Sequence, residues 1–187
     1  MPSGKLIVIS APSGSGKTTI AKEIMKRNPV LGFSVSATTR AKRADEAEGK
    51  DYFFLTLGEF KKRVEAGEFV EWEEFYGNCY GTLKAEVDRL LKSGQHLLFD
   101  LDVKGGLSIK KQYPEALLIF IRPPSIEVMK QRLIGRKTED AATLKTRLDR
   151  VSMELELGNK FDHQVVNDEL ATAIDEVQNL IDQHFTK

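Results

Sequence analysis

Leu6-Ile7-Val8-Ile9-Ser10-Ala11-Pro12-Ser13-Gly14-Ser15-Gly16-Lys17-Thr18 is the stretch on which the fold turns. Four consecutive apolar residues predict a buried strand. The glycine-rich turn behind them predicts a loop, and Ile20, Ile24 and Met25 at helical spacing predict a helix directly after it. Each part of that sequence has a physical task. Gly14 and Gly16 let the backbone curl until its N–H groups point at an anion. Lys17 supplies a mobile positive charge suited to β- and γ-phosphates, and the Thr18 hydroxyl is a potential Mg²⁺ ligand. The helix aims the positive end of its dipole at the same point. Ala11 stands where the strict pattern has its first glycine. The strand before and the helix after identify the segment as a nucleotide-phosphate site rather than a plain surface turn.

Outward from this unit, further short apolar runs occur at Leu97-Leu98-Phe99, at Leu117 to Ile121 and at Gln164-Val165-Val166, separated by helical patterns. Such alternation predicts an α/β fold with a parallel β-sheet core flanked by helices on both faces. Leu170, Ile174, Val177, Ile181 and Phe185 recur at three- and four-residue spacing, predicting a C-terminal amphipathic helix on that sheet. Between about Thr38 and Thr82 the texture changes. Tyr52-Phe53-Phe54-Leu55 and Phe69-Val70-Glu71-Trp72-Glu73-Glu74-Phe75 predict strands, the second half-exposed because it alternates apolar with acidic residues. A short helix through Phe60 and Val64, stopped by Gly67, lies between them, and Gly77-Asn78 turns the chain into a strand at Cys79-Tyr80. The expected division is a core of residues 1–37, 83–124 and 158–187, a small mixed antiparallel insert at 38–82, and a helical insertion at 125–157.

Composition narrows the function. The 187 residues carry no formal net charge, with 28 basic and 28 acidic side chains. A sequence-independent nucleic-acid binder needs a basic excess to displace counterions, so polymeric nucleic acid is not an expected partner. One cysteine, Cys79, allows neither an intramolecular disulfide nor a cysteine-based metal cluster, and a reducing, cytoplasmic setting is expected. No apolar stretch reaches the roughly 18 residues that a membrane span needs, and the N-terminus carries no signal-peptide block. His96, His163 and His184 have no metal or catalytic spacing and read as structural or surface. Cys79 reads as a packed thiol.

Four constellations carry chemistry. Leu97-Leu98-Phe99-Asp100 is an apolar strand ending in an acid, the arrangement by which a strand beside a phosphate loop helps hold Mg²⁺; Asp102 follows two residues on. Next, Ser34-Val35-Ser36-Ala37-Thr38-Thr39-Arg40-Ala41-Lys42-Arg43 places two arginines three residues apart, whose planar forks suit a phosphate monoester, with the Tyr52 hydroxyl nearby. In the third, acids at 71, 73 and 74 precede Tyr80-Gly81-Thr82. One carboxylate there accepts from both a ring N–H and an adjacent exocyclic amino group of a purine, a pair of donors adenine lacks; spacing alone does not single out Glu71. The fourth is Arg132 and Arg136 on one helical face, with Arg147 in the next helix, where arginines can close over a transferring phosphoryl group.

Taken together, these segments resemble the guanylate kinase family, which passes the γ-phosphoryl group of ATP to GMP. The resemblance rests on residues 10–18, on Phe-Ser-Val-Ser-Ala-Thr-Thr-Arg at 33–40 and on Glu-Gly-Lys-Asp-Tyr at 48–52. It extends through Gly-Asn-Cys-Tyr-Gly-Thr at 77–82, Asp-Leu-Asp at 100–102 and Val-Asn-Asp at 166–168. It implies a P-loop NTPase-type core, a GMP-binding insert and a mobile lid. ATP would lie on Ala11, Pro12, Ser13, Gly14, Ser15, Gly16, Lys17, Thr18 and Thr19, with Asn167 at the adenine. Ser36, Arg40, Arg43, Tyr52 and Tyr80 would hold the GMP phosphate, while Glu71, Thr82 and Asp102 read the guanine. Lys17, Arg40, Arg132, Arg136 and Arg147 would be catalytic, and Thr18 and Asp100 would attend Mg²⁺. The implied partners are ATP and GMP, with dGMP a candidate second acceptor; the oligomeric state is left open. Lys42 replaces a proline common in the family, and Asp45 and Lys137 replace glycines. Two rivals differ in class: a non-catalytic interaction module of this fold, against which the intact Lys17, Thr18 and acids argue, and a P-loop kinase of another phosphorylated small molecule, which would not need Glu71 with Thr82.

Overall fold

In the computed structural model, the described residues are 4–12, 14–44, 46–75, 77–129 and 151–186. Strand β1 (Leu6–Ser10) runs through the middle of a five-stranded sheet with β2 (Leu31–Phe33), β7 (His96–Asp100), β8 (Leu117–Arg122) and β9 (His163–Val166), in the order β2-β7-β1-β8-β9. All four pairings are parallel. The continuous apolar runs are explained by this geometry, because both faces of every inner strand are covered. Ile7 and Ile9 point into a cluster with Ile20 and Ile24 of helix α1 (Lys17–Arg27) and Ala173, Ile174, Val177 and Ile181 of the C-terminal helix α5 (Leu170–Thr186). Leu6 and Val8 point the other way, into Val87 and Leu90 of α3 (Lys84–Lys92), Val103 and Ile109 of α4 (Val103–Gln112), and Phe120 and Phe161. Each such side chain contributes about 1.5–3 kcal/mol on burial, so the two faces of β1 anchor the molecule. Strand β2, Leu31-Gly32-Phe33, is three residues long, too short to show a periodic signature of its own.

The second sheet has four strands in the order β4-β3-β6-β5: β4 (Phe53–Phe54), β3 (Ala37–Thr38), β6 (Asn78–Leu83) and β5 (Phe69–Phe75). It is mixed, with β3 parallel to β4 but antiparallel to β6, and β5 antiparallel to β6. Strand β6 is longer than the Cys79-Tyr80 pair expected, and β4 is shorter than Tyr52 to Leu55. Ala37, Phe60, Phe69, Cys79 and Leu83 form its own small core, in which the Phe60 and Phe69 rings stack at 4.4 Å. Cys79 is thus packed, in keeping with its reading as a structural thiol. Helix α2 (Leu57–Glu65) covers this sheet and begins with a capping box. The Thr56 hydroxyl accepts from the Glu59 N–H at 3.2 Å, and the Glu59 carboxylate accepts from the Thr56 N–H at 2.9 Å.

One irregularity sets the geometry of the site. The β5–β6 register slips between Phe69 and Glu71, so Phe69 pairs with Leu83 while Glu71 pairs with Thr82. The bulge lets Phe69 and Val70, adjacent in sequence, both be buried, in the small and the large core respectively. It also turns the strand, because an extra residue reverses which face each later side chain takes. Glu71 is drawn inward and Trp72 is left 49% exposed, the reverse of the face that alternation alone assigns to an acid. Gly81 permits the close approach: a Cβ there would lie 2.8 Å from the Glu71 carbonyl oxygen and 2.7 Å from the Phe69 ring.

His96 is structural, accepting from the Lys5 N–H at 2.9 Å through Nδ1 and lying 4.5 Å from the Phe185 ring; burial lowers its pKa. His163 lies exposed on β9. No helix among the described residues is long and apolar enough to cross a membrane. The helical insertion expected at 125–157 falls largely on residues 130–150, which lie outside the described residues, with Arg132, Arg136, Lys137 and Arg147; residues 151–158 are helical.

Candidate active site

The loop after β1 is shaped by two left-handed glycines, Gly14 at φ 87° and Gly16 at φ 85°. L-residues rarely adopt such angles, so glycine is required at both. Gly16 caps α1 without a side-chain partner, and the first turn of α1 holds no acidic residue, so its N–H groups are unanswered by any local anion. Lys17 lies across the mouth of the loop, with Nζ 2.5 Å from Asp100 Oδ1 and donating to the Leu101 carbonyl at 2.9 Å. The parallel register Ile9↔Asp100 puts that acid at the end of the neighbouring strand. Thr18 Oγ1 lies 3.4 Å from Asp100 Oδ2. These two hard oxygens are of the type that would hold a small divalent cation. No group of three or more His, Cys, Asp or Glu side chains placed to hold a metal ion occurs among the described residues. The donor set therefore suits a cation that brings phosphate oxygens with it rather than one caged by the protein. Ser13 lies outside the described residues; Ala11, Pro12, Ser15 and Thr19 take their places around the loop.

Asn167 follows β9 and is buried. Its Nδ2 donates to the Ser15 carbonyl at 2.8 Å, and a Cβ on Gly16 would lie 2.4 Å from the same nitrogen. The structure thus gives Asn167 a loop-bracing contact in addition to the adenine contact the resemblance implies.

The second sheet gathers the remaining side chains. Thr82 donates its hydroxyl to Glu71 Oε1 at 2.6 Å across the strand pair. Burial pushes the Glu71 carboxyl above its ordinary pKa; the Thr82 hydrogen bond opposes this, and the like charge of Asp102 adds to it. Asp102 caps α4, accepting from the Gly105 N–H at 2.7 Å. Gly105 lies beside both acids: a Cβ there would be 3.1 Å from Asp102 Oδ1 and 3.5 Å from Glu71 Oε2. Between β5 and α4 opens a cleft of about 590 Å³, bordered by Glu71, Glu73, Asp102, Lys104, Gly105 and Ser108.

Tyr80 lies two residues before Thr82 on the same face of β6, roughly 7 Å along the strand. It pairs in register with Thr38, which places it beside Arg40. The Arg40 guanidinium sits over the Tyr52 and Phe54 rings, 5.4 and 5.9 Å from their centroids, and the Tyr52 and Tyr80 rings meet edge-on at 6.3 Å. Glu46 and, more weakly, Tyr80 raise its pKa. Arg43 is exposed, with no acid within ion-pair distance among the described residues. Ser36 accepts the Phe53 N–H with its carbonyl at 2.9 Å, tying its strand end to β4. The sequence reading missed Glu46. It grips Arg40 at both terminal nitrogens, 2.6 and 3.1 Å. Its signal, an acid six residues after the arginine in a loop, has no periodicity by which to be found.

A phosphate loop on a parallel sheet, an acid on the adjacent strand and a second sheet pairing a partly buried carboxylate with an arginine–tyrosine cluster define a P-loop nucleotide-binding protein of the phosphotransferase type. The family model described as guanylate kinase matches residues 3–184. A guanylate kinase of Chlorobium chlorochromatii is 51% identical over 181 residues, covering 96% of this chain and 95% of that one. That of Porphyromonas gingivalis is 47% identical over 186 residues, with 98% and 99% covered. The crystal structure of guanylate kinase from Anaplasma phagocytophilum superposes with a TM-score of 0.74 at 28% identity, covering 100% of this chain and 89% of that chain. This chain belongs to the guanylate kinase family.

Proposed function

We propose that this protein is an enzyme that transfers the γ-phosphoryl group of ATP directly to GMP, giving ADP and GDP. The observation that carries this reading is the partly buried Glu71 carboxylate bonded to Thr82, opposite a cluster of Arg40, Tyr52 and Tyr80. One end accepts two adjacent N–H donors and the other suits a phosphate monoester. Guanine N1–H and its 2-amino group replace the Thr82 hydroxyl at Glu71, and that hydroxyl turns to the guanine carbonyl. Asp102 reads the same edge. Adenine presents no such donor pair and would leave a partly buried carboxylate unsatisfied, which costs about 1–3 kcal/mol.

Arg40, Arg43, Ser36, Tyr52 and Tyr80 orient the GMP phosphate, whose own oxygen is the nucleophile, so no protein base is needed. The N–H groups of the loop and the start of α1 hold the ATP phosphates, and Lys17 moves from Asp100 to them. Thr18 and Asp100 would hold Mg²⁺, which neutralises charge on the β- and γ-oxygens. Arg132, Arg136 and Arg147 stabilise the transferring group. Positioning and electrostatics then carry the reaction. Residues 38–82 serve as the GMP-binding insert and 125–157 as a lid that excludes water. The setting proposed is the cytoplasm.

The test is coupled ADP release with ATP and Mg²⁺ against GMP, dGMP, AMP, CMP and UMP. Turnover with the guanine nucleotides alone is expected. Equal turnover with AMP would overturn the role of Glu71, and no turnover with any of them would overturn the reaction.

A further inference from the structure

The loop that carries the two phosphate-facing arginines is held at several points. Glu46 accepts from the Arg43 N–H at 2.8 Å, Asp51 accepts from the Ala47 N–H at 2.8 Å, and Glu48 accepts from the Phe54 N–H at 3.0 Å. Within it, Glu46 meets Arg40 end-on: Nη2 donates to Oε1 at 2.6 Å and Nη1 to Oε2 at 3.1 Å. Nη1 gives its other hydrogen to the Ala41 carbonyl at 2.7 Å. A guanidinium has five N–H donors in a rigid fork. Three are thus taken, and the two left over, Nε–H and the second hydrogen of Nη2, lie together on the adjoining edge. Neither is bound by a carboxylate or carbonyl among the described residues, and the Tyr80 hydroxyl, itself a proposed phosphate ligand, also interacts with this guanidinium.

This count decides between two roles for Glu46. A carboxylate that merely fills the phosphate's place would sit on the edge the phosphate needs and leave when it arrives. Here the carboxylate takes the far end of the fork, is fixed by a backbone N–H as well, and leaves the other two-donor edge clear of any acid among the described residues. With the ring faces of Tyr52 and Phe54 beside the guanidinium, its plane and its rotation are both fixed. We propose that Glu46 is a positioning residue for the acceptor phosphate, holding Arg40 end-on so that its Nε edge faces the monoester. The inference rests on the proposed reading of Arg40 as a GMP-phosphate ligand.

The two roles predict opposite signs. Removing a carboxylate near a dianion strengthens phosphate binding by charge alone, whereas removing an orienting group weakens it. Glu46→Ala is therefore expected to raise KM for GMP roughly ten- to a hundredfold, the scale of one charge-assisted hydrogen bond. KM for ATP, and inhibition by guanosine, which has no phosphate, should not change. Glu46→Gln, whose amide oxygen still accepts one N–H, should fall between. In an Arg40→Ala background, Glu46→Ala should add nothing further. An unchanged or lowered KM for GMP in Glu46→Ala would overturn the inference. So would an equal loss of guanosine inhibition, which marks a general collapse of the insert, or a full additional loss in the Arg40→Ala background. If the wild-type protein does not phosphorylate GMP, the reaction itself fails; if it does and Glu46→Ala is indistinguishable from it, only the role of Glu46 fails.

Discussion

In the proposed reading the donor loop is one unbroken run, residues 11–19, whereas the acceptor site collects side chains from residues 36–52, 71–82 and 102. The first works chiefly through backbone N–H groups and glycine angles, with Lys17 as its one cationic side chain. The second works through side chains aimed by strand register, a bulge and a helix cap. A contiguous backbone device depends on local sequence, and a side-chain device depends on how distant segments pair. Damage to the two should therefore separate kinetically, ATP-side from GMP-side.

The largest expected separation comes from Lys17→Ala. Loss of the phosphate-loop cation should lower kcat by about 10³-fold while leaving the thermal midpoint near that of the wild type, since Lys17 and Asp100 are both partly exposed. Assay of ADP release with calorimetry alongside tests both halves. Glu71→Gln should raise KM for GMP by about 10²-fold with KM for ATP unchanged; a matching rise for ATP would break the separation.

Two glycines sharpen it further. Gly81→Ala forces a Cβ to within 2.8 Å of the Glu71 carbonyl oxygen, and Gly16→Ala forces one to 2.4 Å from Asn167 Nδ2 at a left-handed φ. Each should cost about 1–3 kcal/mol, a fall in Tm of about 2–4 °C for each kcal/mol in a chain of this size. The first should also raise KM for GMP and the second KM for ATP.

The raised Glu71 pKa makes a pH signature. From the ordinary value of 4.5 up to its elevated folded value, the folded chain holds the proton more tightly than the unfolded one. Stability from this group is thus fully present below the unfolded pKa and is lost as pH rises through the folded pKa. The Tm difference between wild type and Glu71→Gln should fall with rising pH across that window. Guanosine, which has no titrating phosphate, should bind the wild type with proton release there. The smallest effect is expected from Thr56→Ala, which removes half of the capping box far from either nucleotide: about 1 kcal/mol of stability, read by denaturant unfolding, with both KM values unchanged.

The unequal legibility of the two regions follows from the same contrast. The strand, loop and helix of the donor site can be read directly, since Leu6 to Ile9, the two glycines and Ile20 with Ile24 are local signals. The inner parallel strands and α5 are legible for the same reason. Strand β2 is not, because three residues held mainly by pairing with β7 have no pattern of their own. In β5 the alternation of apolar and acidic residues suggests a solvent-facing acid. Only the slip at Val70 brings Glu71 inward, and a bulge driven by two cores competing for neighbouring residues has no periodic trace. The resemblance could single out Glu71, but the reason for its orientation needed coordinates. Glu46 lay beyond both, in a loop where neither spacing nor strand geometry marks a partner for Arg40.

The adjacency of Phe69 and Val70 in two different cores has a thermodynamic consequence. A core of Ala37, Phe60, Phe69, Cys79 and Leu83 is too small to hold a sheet by itself, and one peptide unit ties it to the larger core. Pulling Phe69 free displaces Val70, and melting around Val70 removes the anchor of Phe69. The second sheet therefore has no independent melting point: heating should give one calorimetric transition with equal calorimetric and van't Hoff enthalpies.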